Sequence, residues 1–238
     1  MSFQFKQFTI EQDRCAMKVG TDGVLLGAWT SLKNNPQSIL DIGAGTGLVG
    51  LMLAQRSDAE QIDAIEIDED AYEQCVENFE NSPWANRLFC FHASLDEFAD
   101  EPEDEKYDLI VSNPPYFLPN ERETDIPENR KKARFYDSLP FEDLVNYASQ
   151  LLSEVGELAV VIPFAEEERF LALAKQFGLF PHHITRVRGT ETAPVKRSLL
   201  QFSFTKQNTE ENELVLEISR HQYTNEFKAL VEDFYLKL

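Results

Sequence analysis

The chain has 238 residues, 42% of them hydrophobic, enough for one large domain with a substantial core. Its formal charge of −20 works against nonspecific attraction to nucleic acid, so an RNA partner would have to be held by local basic patches. Cys15, Cys75 and Cys90 are scattered without a CxxC pair, which argues for reduced cytosolic thiols over a disulfide framework; no run approaches a membrane span, and the start lacks an apolar signal core.

Residues 3–10 place Phe3, Phe5, Phe8 and Ile10 on a period near two with one slip, predicting a short hairpin or edge strand. Next, Thr21 or Asp22 can cap a helix whose Leu25, Ala28, Trp29 and Leu32 have helical spacing. Residues 38–42 read as a buried strand, followed by Gly43-Ala44-Gly45-Thr46-Gly47 and an apolar helix over 48–55. Strand, glycine-rich turn and helix form the first unit of a nucleotide-binding α/β fold. The glycines let the backbone turn tightly and approach a ligand. A pyrophosphate cradle fits poorly, because Leu48 stands where GxGxxG wants Gly or Ala, and no Gly-Lys-Ser/Thr follows for a P-loop. Asp41, just before the glycines, suits a cationic ligand such as an amino acid bearing an ammonium and a sulfonium.

The next strand, 62–66, ends in Glu66, about 20 residues past the turn, where a carboxylate can accept both ribose hydroxyl protons. Asp68, Glu69 and Asp70 suit the positive end of a helix that buries Ala71, Tyr72, Cys75, Val76 and Phe79. These acids lack a His or Cys partner at ligand spacing, so no metal site is expected. A third strand, 87–92, ends at Ala93-Ser94-Leu95-Asp96, and its end should line the same crevice. Residues 99–108 read as an acidic, solvated loop.

Residues 107–112 read as a buried strand leading into Asn113-Pro114-Pro115-Tyr116. Two prolines cannot continue a ladder, so the chain leaves the sheet at its carboxyl edge, where ligands bind in open α/β sheets. The Asn113 amide oxygen and the Pro114 carbonyl can hold an NH2 group by its two hydrogens while Tyr116 stacks on a flat ring. The same residues would also serve as a rigid strand exit with a buried Asn. Residues 117–137 form a Pro-, Asn- and Glu-rich loop carrying Arg130, Lys131, Lys132 and Arg134, either a substrate lid or a solvated loop. A helix over 140–153, a strand over 158–162 and a helix with acids at 166–168 follow. Arg186, Arg188, Lys196 and Arg197 then bracket a Gly/Pro loop with Glu191 as its only acid, giving a second basic patch before the strand 199–204. Residues 207–212 read as a polar joint, 214–218 as a strand, and Phe227, Leu230, Val231 and Phe234 as the face of a covering helix.

Asp41-Ile-Gly-Ala-Gly-Thr-Gly47, Glu66-Ile-Asp68 and Asn113-Pro-Pro-Tyr116 fall in the order and spacing of class I S-adenosylmethionine-dependent methyltransferases, the last motif being that of enzymes methylating planar NH2 groups. The run from Phe5 to Trp29 narrows the likeness. It resembles the bacterial tRNA(Val) adenosine-37 N6-methyltransferases over nearly the whole chain. The resemblance implies a Rossmann-like α/β fold: a seven-stranded, mostly parallel sheet with helices on both faces and a short N-terminal cap. It implies one domain over 1–238, with a cap at 1–35, a catalytic core at 36–206 and a tail at 207–238. S-adenosyl-L-methionine is the implied cofactor, bordered by Asp41, Gly43, Ala44, Gly45 and Gly47, with Glu66 on the ribose. Ile67, Ser94, Leu95 and Asn113 complete the implied cofactor site, and Lys18, Thr21 and Asp22 resemble residues that close over it. Many relatives carry an aspartate at the position of Ser94; here the adenine contact falls to the Ser94 hydroxyl, nearby backbone or Asp96. Asn113, Pro114, Pro115 and Tyr116 are the implied catalytic residues. The implied partner is tRNA, held by the two basic clusters, and a cytoplasmic monomer without metal or membrane contact is expected. Methylation of a protein glutamine, as in release-factor methyltransferases, and a non-catalytic RNA-binding scaffold are the alternatives.

Overall fold

The computed structural model describes residues 2–100, 106–115 and 139–237. The predicted N-terminal hairpin is present: β1 (Phe3–Gln4) pairs antiparallel with β2 (Thr9–Ile10), and Phe5, Phe8 and Ile10 turn inward. Helix α1 (Thr21–Trp29) follows an open segment. The chain then alternates strand and helix through β3 (Ser38–Ile42), α2 (Leu48–Arg56), β4 (Gln61–Glu66), α3 (Glu69–Glu80), β5 (Leu88–His92), α4 (Leu95–Asp100) and β6 (Tyr107–Ser112). Beyond the motif come α5 (Phe141–Leu151), β7 (Leu152–Pro163), a 3-10 turn at Phe164–Glu166, α6 (Glu167–Gln176), β8 (Phe180–Arg188) and β9 (Val195–Ser203). The tail adds β10 (Glu210–Val215), the small hairpin β11 (Glu217–Ser219) and β12 (Gln222–Tyr223), and α7 (Asn225–Val231).

The main sheet has the order β10-β8-β9-β7-β6-β3-β4-β5, one strand more than expected. β9 runs antiparallel to both neighbours, and the other ladders are parallel. The extra strand is β10, which begins inside the stretch read as a polar joint. Glu210, Glu211 and Asn212 pair through their main chain with β8, and an edge strand can carry charge on both faces. The predicted strand at 214–218 is correspondingly divided between β10 and β11.

Period-two alternation sends successive residues into two separate cores. In β6, Leu109 and Val111 join the core under α1, α2, α3 and α7, while Ile110 joins the one under α4, α5 and α6. Helix α1 is fixed at both ends. The Trp29 indole donates to Thr185 Oγ1 at 2.8 Å, and Arg197 Nε donates to Asp22 Oδ2 at 2.8 Å. The expected side-chain cap at Thr21 or Asp22 is absent; Gly20 is the cap residue, and Asp22 turns to Arg197 instead.

Gly27 lets α1 lie against α2, because a Cβ there would sit 2.8 Å from both Cβ and Sδ of Met52. Gly27→Ala is expected to lower unfolding stability by about 1–3 kcal/mol through overpacking, against a helix-propensity gain of about 1 kcal/mol. In a urea-unfolding double-mutant cycle with Met52→Ala, the paired change should cost less than the sum of the single ones; additivity would mean that the contact does not set the helix spacing.

Candidate functional site

Three strand ends meet at one edge. Ile42, the last residue of β3, pairs with Ile65 on β4 and with Ser112 on β6. The glycine turn, Glu66 and Asn113 therefore leave the sheet side by side. The strand order also reverses here: β4 and β5 lie to one side of β3, and β6 and β7 to the other. This is the switch-point crevice of an open α/β sheet.

Gly43, Gly45 and Gly47 all have positive φ, at 72°, 55° and 77°. A Cβ on Gly47 would press within 2.6 Å of Phe79, so Gly47 seats the turn on α3. At Gly43 and Gly45 a Cβ would meet nothing within 4 Å, so their open side is free for a ligand. Gly43 and Ala44 donate N–H to the Ile65 carbonyl, at 3.0 and 3.1 Å. Glu66 holds the turn from the neighbouring strand: its Oε2 accepts from Gly45 N–H at 2.8 Å, and its Oε1 from Ile67 and Asp68 N–H at 2.8 and 3.0 Å. A carboxylate offers about four acceptor positions, and these three N–H groups take three of them. Ile67, 49% exposed, presents an apolar shelf beside it, with its carbonyl 3.0 Å from His92 Nε2. Asp68 caps α3 through Ala71 N–H.

Asp41 lies beneath the turn, 1% exposed, its Oδ2 accepting from Gly50 N–H at 3.0 Å. Burial pushes its carboxyl up to about 7; the Gly50 bond opposes the rise, and the negative Glu66 adds to it. A cation placed above would favour the charged form.

Asn113 stands at the strand exit with its Oδ1 buried and without a hydrogen-bond partner among the described residues. A Cβ on Gly23 would come within 4.0 Å of Asn113 Nδ2, so α1 borders this side chain. Pro114 is buried and Pro115 half-buried. Tyr116, together with Arg130, Lys131, Lys132 and Arg134, lies outside the described residues.

Other predicted residues are differently employed. Ser94 closes a capping box: its Oγ donates to Glu97 Oε2 at 2.8 Å, so its hydroxyl serves the start of α4. Leu95 is 6% exposed and packs in the second core with Ile42 and Ile65. Lys18 and Thr21 are exposed. The patch at 186–197 is far less free than its sequence implies. Arg186 grips the buried Glu167 through Nε at 2.9 Å and also reaches Glu211; Arg188 pairs with Glu213, and Arg197 with Asp22. Lys196 is exposed. The acids that hold Arg186 and Arg188 come from α6 and β10, distant in sequence, which is why a local charge count missed them.

Sequence reasoning also missed Gln74 and Asn78, buried at 0% and 2% on α3 at helical spacing from Ala71 and Cys75. Apolar pattern alone gives such amides no signal. Among the described residues there is no group of three potential metal ligands and no helix long and apolar enough to cross a membrane.

Residues 23–185 match the methyltransferase small-domain family. The tRNA1(Val) (adenine(37)-N6)-methyltransferase of Christiangramia forsetii is 63% identical over 237 residues, 99% of this chain and 98% of that protein. A predicted O-methyltransferase from Agrobacterium tumefaciens superposes with a TM-score of 0.70 at 19% identity, covering 90% of this chain and 96% of that one. A 16S rRNA N2 G1207 methyltransferase from T. thermophilus, solved with AdoMet and guanosine, gives 0.58 at 19% identity, over 85% of this chain and 49% of that one. These two structures establish the likeness of fold.

The raised pKa of Asp41 has a signed consequence. The folded state holds this proton more tightly than the unfolded state, so its stabilising contribution is full below about pH 4 and is lost as pH rises through about 7. Asp41→Asn removes that titration. Measured by urea unfolding without ligand, the variant should match the parent near pH 4 and gain on it by about 2–4 kcal/mol by pH 8. A gap that stays constant with pH would contradict the buried-acid reading.

Proposed function

We propose that this chain, which belongs to the methyltransferase small-domain family and, within it, to the tRNA1(Val) (adenine(37)-N6)-methyltransferases, transfers a methyl group from S-adenosylmethionine to N6 of adenosine 37 in tRNA1(Val). The observation that carries this reading is the Oδ1 of Asn113 at the sheet's switch point, buried and unpartnered among the described residues. A buried acceptor left unpaired costs about 1–3 kcal/mol, a cost that an arriving N–H would relieve.

The residues present fit the cofactor. The open faces of Gly43 and Gly45 admit its methionine part, and buried Asp41 supplies the negative charge beneath a cation. The remaining acceptor position of Glu66 takes one ribose hydroxyl, a narrower role than the pair of hydroxyls expected from sequence. The Ile67 shelf supports a flat ring. Because Ser94 is committed to its capping box, the adenine edge is assigned to backbone groups at the start of α4. When bound, S-adenosylmethionine supplies an activated methyl group on its sulfonium.

The protein's own part is positioning. An adenine amino nitrogen is a poor nucleophile because its lone pair is delocalised into the ring. Asn113 Oδ1 accepts one of its N–H groups and the Pro114 carbonyl the other, which favours a more tetrahedral nitrogen and aims the lone pair. Orientation and electrostatics of this kind need no side-chain nucleophile. Tyr116 is assigned the stacking face, and removing the base from its stack costs a few kcal/mol, least in a single-stranded loop. The cap at 1–35, the core at 36–206 and the tail at 207–238 act here as one unit, supported by the pairing of Phe5 with Tyr235. Phosphate contact is assigned first to Lys196 and to the cluster at 130–134. Arg186, Arg188 and Arg197 reach a phosphate only by exchanging the acids that hold them. The names of the relatives favour the tRNA amine over a protein glutamine.

The test separates binding from chemistry. Asn113→Ala is expected to slow single-turnover methylation of tRNA by two to three decades, about 3–4 kcal/mol, with S-adenosylmethionine affinity within a few-fold of the parent by calorimetry. Methylation within a few-fold of the parent rate would reduce the motif to a strand exit.

A further inference from the structure

The segment 11–20 joins β2 to α1 without regular structure, yet it is held firmly by polar side chains. Asn78 Oδ1 accepts from Glu11 N–H at 2.8 Å, and Asn78 Nδ2 donates to the Glu11 carbonyl at 2.9 Å. The same Nδ2 donates to the Thr46 carbonyl at 2.9 Å, inside the glycine turn. Gln74 Oε1 accepts from Arg14 N–H at 3.4 Å, and the Arg14 guanidinium pairs with Glu73 and Glu77. Gln12 Oε1 accepts from Val19 N–H at 2.8 Å, folding the segment into a closed loop. Cys15, within this loop, is 7% exposed, and burial with the nearby charges of Glu66 and Asp68 pushes its thiol up to about 11. Cys15 is thus close enough to the strand end that carries Glu66 to feel its charge. Beyond the segment the chain enters α1, where Gly23 borders Asn113.

An Asn amide offers two N–H donors and an acceptor oxygen. Asn78 makes three bonds, two to the strap and one to the glycine turn, and each is to a backbone group. It is the one side chain among the described residues that bonds both the 11–20 strap and the glycine turn. A backbone shift in either segment must be answered by the other or leave a buried polar group unpaired.

We propose that Asn78 is a positioning residue that couples the 11–20 strap to the glycine turn, so that ligand binding at the turn and closure of the strap are a single event. The proposal rests on the cofactor reading above. Coupling of this kind has a reciprocal signature: a ligand at the turn must tighten the strap, and a loosened strap must weaken the ligand. A side chain that only stabilised the fold would lower the melting temperature without separating these two responses.

The experiment is amide hydrogen exchange with and without S-adenosylhomocysteine on the full chain. In the parent, the ligand is expected to slow exchange at 43–47 and at 12–20. In Asn78→Ala, the response at 43–47 should persist with affinity weaker by about tenfold, while the response at 12–20 disappears. Glu11→Pro takes away the strap's donor N–H and fixes its backbone without changing any residue of α3; it should lose the strap response in the same way. An unchanged strap response in both variants, or a parent that responds at 43–47 alone, overturns the coupling and leaves the cofactor reading standing. A parent that responds at neither segment overturns both.

Discussion

The site depends on the register of β3 between its two neighbours. Ile42 opposite both Ile65 and Ser112 is what puts a glycine turn, a carboxylate and an amide at one edge. A slip of one residue would turn Asp41 from the α2 side to the opposite core and exchange it with an apolar neighbour. The register is protected by burial on both faces: Ile39, Leu40 and Ile42 are each 2% exposed or less. Position is thus fixed by apolar side chains that touch no ligand, and the polar residues add direction to a frame already set.

The chain's acidity is used structurally. Glu66 clamps the glycine turn to the next strand. Glu167, 5% exposed, gathers Arg186 and Ser198 into one network beside the start of β9, and that network raises the Arg186 pKa further above its ordinary value. Paired cations cost little to expose on a surface and attract polyanions weakly. In the proposed reading this suits an enzyme that must select one tRNA position, because sequence-independent phosphate attraction is muted until a substrate displaces the acids.

Much of the frame was legible in the sequence because its signals are local. The strand at 38–42, the glycines after it, the acid closing β4 and the prolines closing β6 each announce themselves within a few residues; α5 came out within a few residues of its predicted ends, and α6 starts among its predicted acids. What failed was non-local. β10 pairs through its backbone, so charged residues at 210–213 concealed a strand. Asp22 resembles a cap but belongs to Arg197, 175 residues away in sequence. Asn78 and Gln74 sit on the buried face of α3, where the apolar pattern suggested Tyr72 and Val76. The placement of Asp41, Glu66 and Asn113 at one sheet edge was legible, because they end or border strands. The side-chain partners of Ser94 and Leu95, a helix cap and a core, were not legible.

The central claim is that this edge directs a methyl group to one amine of one nucleoside. The most direct measurement combines the purified chain, S-adenosylmethionine with an isotopically labelled methyl, and an unmodified tRNA1(Val) transcript, followed by nucleoside mass mapping. The account predicts label in N6-methyladenosine at position 37 and none when that adenosine is replaced by guanosine. Label at another position, or no transfer to RNA at all, would contradict it.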